Sequence, residues 1–112
     1  MERRRFSRNK IKVMIDYLNG GDIEVVYTKD ISMGGMFIET TNIHKPGSMA
    51  FLDFYLPGVK KMFKLKGKVA WVKSSENADP DKRTGMGIEF VDLDDGNKAY
   101  LKTGIKNIQG EL

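Results

Sequence analysis

The sequence predicts an all-β fold closed by one C-terminal helix: a six-stranded antiparallel β-barrel with a basic N-terminal arm. Three observations carry this. Apolar and polar residues alternate in six short segments between residues 10 and 91. Turn-forming Gly, Pro and Asn separate those segments. Between residues 94 and 108 the apolar period lengthens to that of a helix. Six short antiparallel strands in an open sheet would leave two adhesive edges, and closure removes them.

Residues 1–9 form the arm. Arg3, Arg4, Arg5 and Arg8 crowd it with like charge and few apolar anchors, which predicts a mobile leader. The first strand is IKVMIDY, with Ile11, Val13, Ile15 and Tyr17 on one face and Lys12, Met14 and Asp16 on the other. Asn19-Gly20-Gly21 turns the chain into DIEVVYTKD, the second arm of a hairpin. After DISMGG comes a short third strand, MFIET. Lys45-Pro46-Gly47 precedes the fourth, SMAFLDFYL, which Pro57-Gly58 ends. The fifth, MFKLKGKVAWVKS, places Phe63, Leu65, Val69 and Trp71 on one parity and Lys64, Lys66 and Lys68 on the other. Gly67 predicts a bulge or bend in its middle. SSENADPDKR is a polar loop, and GMGIEFV is the sixth strand. The helix spans 94–108, with Asp94 as N-cap and Asn97, Leu101, Ile105 and Ile108 as its recurring series. Gly96 and Gly104 weaken it, so packing must hold it in place.

A length of 112 residues fits one domain, 1–112. Nineteen basic against fifteen acidic residues give a net charge of +4, which permits an anionic partner without requiring one. The absence of cysteine excludes disulfides, thiol catalysis and cysteine-held zinc, and fits a reducing, cytoplasmic setting. No apolar run approaches the ~20 residues of a membrane span. No apolar stretch follows the basic start, as a secretory signal would need. His44, the lone histidine, reads as a surface residue of the loop TNIHKPG. No HExxH, Walker A or GxGxxG pattern appears. DLDDGN resembles a calcium loop, but Thr103 stands at the closing position and Asp94 is better explained as a cap. The sequence therefore predicts no catalytic residue, no metal and no cofactor, and does not read as an enzyme.

Two stretches carry chemistry. In DISMGG, Asp30, Ser32 and Gly35 are turn formers. They also set an acceptor and a hydroxyl at the rim of a barrel, with Gly35 leaving room for a ligand. In RRRFSR, each arginine offers a planar fork that fits phosphate or the O6/N7 edge of guanine and stacks on flat rings. Arg4 and Arg8 are four apart, on one side of an extended arm. A ligand with both phosphates and guanines would use every property of that fork. Its guanine N1–H and N2–H₂ would want an acceptor such as Asp30.

With these residues the chain resembles the PilZ domain, the bacterial receptor module for cyclic di-GMP. RxxxR is present as Arg4-Arg5-Phe6-Ser7-Arg8, and (D/N)xSxxG as Asp30-Ile31-Ser32-Met33-Gly34-Gly35, about one hairpin later. GKVAWV, GMGIEFVDL and the terminal helix look like the later part of the family, so the resemblance covers the whole chain. It implies that Arg4 and Arg8 grip guanine edges and phosphate. Arg5 adds a phosphate contact or a stack, Asp30 and Ser32 hydrogen-bond guanine, and Gly35 gives room. Arg3, Gly34 and Trp71 are secondary candidates. Arg3 occupies the place that accompanies a stacked pair of ligands. Trp71 stands where the family often has an aromatic near the ligand, although its parity assigns it to the core. The implied output is a surface read by a downstream effector protein, in motility or exopolysaccharide regulation, with no membrane partner. Two other readings stand beside this one. The first is a PilZ-like protein adaptor that binds no ligand. The second is a small-barrel nucleic-acid binder using Lys64, Lys66 and Lys68, whose face lacks the interleaved aromatics such a platform uses.

Overall fold

A computed structural model describes residues 11–18, 23–73 and 84–109. Six strands and one helix follow in order: β1 (Ile11–Tyr17), β2 (Ile23–Ile31), β3 (Gly35–Glu39), β4 (Met49–Phe54), β5 (Phe63–Lys73), β6 (Gly85–Val91) and α1 (Asp95–Gln109). The strands close into an antiparallel barrel in the order β1-β2-β3-β6-β5-β4, with β4 returning to β1. The predicted Asn19-Gly20-Gly21 turn and the whole SSENADPDKR loop lie outside the described residues.

Alternation decides which side chains fill the barrel. Val13, Ile15, Leu52, Phe63, Val69, Ile38 and Met86 come from five different strands and are all but inaccessible to solvent. Burying one such side chain contributes about 1.5–3 kcal/mol. Phe54 and Phe63 face each other across β4 and β5, with ring centroids 5.1 Å apart. Lys64, Lys66 and Lys68 point outward between the buried members of β5, as their parity predicts.

Gly67 does not interrupt β5. It pairs regularly with Ala50 and Phe90 on the inner face. A side chain there would strike Ile88 Cγ2 at 2.5 Å and Leu52 Cδ1 at 3.2 Å, so this glycine makes room for core neighbours. The bulge falls three residues later, between Val69 and Trp71, where β5 gains one residue over β6. Because side chains alternate with period two, that extra residue moves Trp71 from the predicted inner face to the outer one. A second irregularity lies in β2, between Tyr27 and Asp30 opposite β3.

One end of the barrel is covered by the β3–β4 connection. His44 is half-buried rather than a free surface residue: its ring stacks on Tyr17 at 3.7 Å, and its backbone N–H points at Met86 Sδ. Below it Glu24 accepts from Tyr17, Thr40 and Asn42. The helix begins as its cap predicts, with Asp94 Oδ1 accepting the Asn97 N–H at 2.7 Å. Asn97 thus serves the cap and not the core. Leu101 is fully buried, and Ile105 and Ile108 pack partly against the core. Gly104 sits directly on Leu56, whose Cδ1 lies 2.5 Å from where a β-carbon would be. Its low helix propensity, about 1 kcal/mol against alanine, is the cost of that close approach, and the burial of Leu101 offsets it.

Candidate functional site

The two bulges and a tight turn build one cleft on the outside of the barrel. At the β2 bulge the buried Thr28 hydroxyl accepts the Asp30 N–H at 3.1 Å and donates to the carbonyl of Phe37. This ties the irregular stretch of β2 to β3 and fixes the backbone that carries Asp30. The exposed Asp30 is then opposite Phe37 in the register. Phe37 is opposite Gly87 on β6, and Gly87 is opposite Trp71 on β5. One row of outward positions therefore runs Asp30–Phe37–Gly87–Trp71 across four strands.

Glycine explains the flatness of this row. A β-carbon at Gly87 would lie 2.2 Å from Trp71 Cε2, so the indole rests directly on the β6 backbone. At Gly85 a β-carbon would lie 2.7 Å from Phe37 Cζ. The two rings stack with centroids 5.4 Å apart and planes 18° from parallel. Trp71 hides Phe37, which is only 8% exposed, while half of Trp71 itself faces solvent. The result is an aromatic floor with a carboxylate at one end.

The DISMGG turn forms the wall beside Asp30. Ser32 N–H donates to the Gly35 carbonyl at 2.8 Å, and the Ser32 hydroxyl accepts the Gly34 N–H at 3.2 Å. The turn chemistry is therefore real, and it leaves the hydroxyl at the rim. Neither Gly34 nor Gly35 has positive φ. Gly35 lines the cleft, and the close approach of β3 and β6 also requires it to be glycine, since a β-carbon there would lie 2.0 Å from the Ile88 carbonyl oxygen. Gly34 is the more open one: among the described residues only Ser32 Oγ comes near, at 4.0 Å.

The cleft has a volume of about 640 Å³ and is lined by Asp30, Ser32, Gly34, Gly35, Phe37, Trp71, Gly87 and Glu89, among others. It brings together all the candidates from the second motif and the aromatic from β5. Among the described residues its lining includes two carboxylates, Asp30 and Glu89, and no lysine or arginine. Such a floor suits flat rings and N–H donors. The described lining supplies no cation for phosphate. Arg3, Arg4, Arg5 and Arg8 lie outside the described residues. The β5 lysines are balanced by acids: Lys64 is 3.4 Å from Asp53, Lys66 is 3.9 Å from Asp92, and Lys68 stands opposite Glu89. That balance weakens the case for a cationic nucleic-acid track. Thr28, Phe37 and Gly87 were missed by sequence reasoning. Their only signals are a threonine two residues before Asp30 and glycines spaced by two in GMG.

The chain matches the PilZ domain family over residues 2–107, essentially its whole length, and it belongs to that family of non-catalytic modules that bind cyclic di-GMP. A search of curated proteins finds no match.

Proposed function

We propose that this protein is a cyclic di-GMP receptor in which the ligand bridges the arginine arm and the cleft. The observation that carries the reading is the division of chemistry. The described residues of the cleft offer a stacking floor and carboxylate acceptors, and the arm motif offers forked cations. A cyclic dinucleotide needs both, since it joins two guanines to two phosphates. One guanine lies on Trp71, where base–aromatic stacking contributes about 1–3 kcal/mol. Asp30 accepts from a guanine N1–H and N2–H₂, and Ser32 adds a hydroxyl contact. Arg4 and Arg8 meet phosphate and the O6/N7 edge, and Arg5 adds a phosphate contact or a stack. Arg3 supports a second, stacked ligand molecule, and Gly34 lets the ligand pass close to the turn. Closing the arm over the barrel creates a composite surface for a downstream effector protein, and no chemical step is involved.

Calorimetric titration with cyclic di-GMP tests this directly. The expected result is saturable binding that Arg8→Ala and Asp30→Ala each weaken at least about tenfold, as loss of a charge-assisted contact of about 1.5–3 kcal/mol requires. A stoichiometry of two would assign the stacked pair. Absence of binding at high ligand concentration would leave the ligand-free adaptor reading.

A further inference from the structure

The opposite wall of the barrel, formed by β2, β1 and β4, exposes apolar residues that the cleft does not use. Ile23, Val25, Met14, Phe51 and Tyr55 are each between 46% and 63% exposed, and Tyr27 is 44% exposed. The register arranges them in three rows. Ile23 and Phe51 flank Asp16. Val25 and Asp53 flank Met14. Tyr27 pairs with Lys12, and Tyr55 lines the same groove as Lys12 on the other side. Each outer row thus holds one charge between two apolar side chains, and the two charges are opposite in sign. Neither Lys12 nor Asp16 makes an ion pair among the described residues.

We propose that this face is the isologous interface of a homodimer. A two-fold axis that lies in the interface, along the Val25–Met14–Asp53 row, exchanges the outer rows. Lys12 then meets Asp16 of the second copy, Ile23 meets Tyr27, and Phe51 meets Tyr55. Met14 and Val25 meet their own counterparts, while Lys64 beside Asp53 keeps that carboxylate compensated at the edge. The alternative axis, along the strands, would set Lys12 on Lys12 and Asp16 on Asp16, so charge selects one arrangement. Three strands ~4.8 Å apart and five residues deep at ~3.3 Å each give a patch of order 250 Å² in plan. That is well below the ~800 Å² per partner of a standard interface, so the dimer is weak and concentration-dependent. The cleft shares only the far end of β2, beyond its bulge, and opens over β3, β6 and β5, so it remains open in the dimer.

Sedimentation velocity across a concentration series tests the assignment. The wild-type protein is expected to show a reversible monomer–dimer equilibrium. Lys12→Asp and Asp16→Lys are each expected to weaken it by about tenfold or more, because each reversal turns two symmetric attractions into repulsions. An equimolar mixture of the two variants, and the double variant carrying both changes, are expected to recover dimers. Circular dichroism and cyclic di-GMP titration of each variant confirm an intact fold. A wild-type protein that stays monomeric at its highest soluble concentration overturns the proposal and leaves the face to a different protein. Dimers that ignore the single reversals, or that the mixture fails to restore, overturn it equally.

Discussion

Gly87→Ala separates the aromatic floor from the stability of the barrel. The new β-carbon would sit 2.2–2.7 Å from three indole atoms of Trp71. Ordinary contact is about 3.4–4 Å, so the ring must lift by more than 1 Å or rotate away. It can do so, because half of it faces solvent. The folding cost is the lost Phe37–Trp71 stack, about 0.5–1.5 kcal/mol. Alanine recovers about 0.5–1 kcal/mol relative to glycine within a strand. The two nearly cancel, so the urea midpoint should shift little. Ligand affinity should not escape: a displaced indole forfeits about 1–3 kcal/mol of stacking, a drop of about 5- to 150-fold. Trp71 is the only tryptophan, so its fluorescence reports on the cleft alone. Wild type should show a ligand-dependent change in emission, and Gly87→Ala a different starting spectrum and a weakened response. Unimpaired binding by Gly87→Ala would refute the assignment of Trp71 to the ligand floor. A stability loss of several kcal/mol would show that the ring is held far more firmly than its exposure indicates.

Other consequences concern elements that hold the site. Thr28→Val keeps the shape but strips the hydroxyl from the β2 bulge, leaving the Phe37 carbonyl and Asp30 N–H without that partner. It should cost about 1–3 kcal/mol by urea denaturation and weaken ligand binding through Asp30, and Thr28→Ser should restore both. Gly104→Val drives a β-branched side chain into Leu56, so the thermal midpoint should fall by the equivalent of about 1–3 kcal/mol, with helix content the first signal lost. Burial, then the charge of Glu24 and its hydrogen bond, push the Tyr17 hydroxyl well above its ordinary pKa of 10.0. The neutral form is the one the fold prefers. Its contribution is therefore complete below pH 10 and declines as pH rises through the alkaline range, at up to ~1.4 kcal/mol per pH unit. Denaturation midpoints for wild type and Tyr17→Phe should converge with rising pH above 10, and parallel curves would contradict this.

The motif DISMGG was legible because its two roles coincide: the residues that make the turn are the residues that line the rim. The helix cap at Asp94 was legible for the same local reason. Gly35 has a packing role that the sequence did not reveal. Its neighbour is the Ile88 carbonyl, 53 residues away in the chain, and no local pattern points to it. Trp71 shows the limit most clearly. Its parity with Val69 is a true statement about the sequence, and one inserted residue at Ala70 reverses its meaning. His44 is similar, since only the closing connection brings it onto Tyr17.

The sequence by itself determined the six strands, the alternation of faces within each as far as its bulge, the capped helix and the two motifs. These depend on side-chain alternation and on backbone chemistry within a few residues, which the chain carries locally. The tertiary structure alone decided which strands are neighbours, where the bulges fall and which glycines serve strand contact. Those are properties of register. Register fixes that Asp30, Phe37, Gly87 and Trp71 form one row, and that Tyr27, Val25 and Ile23 stand beside Lys12, Met14 and Asp16 on the other face. A shift of one residue would leave every local preference satisfied and scatter both surfaces, because each side chain would then face the other way.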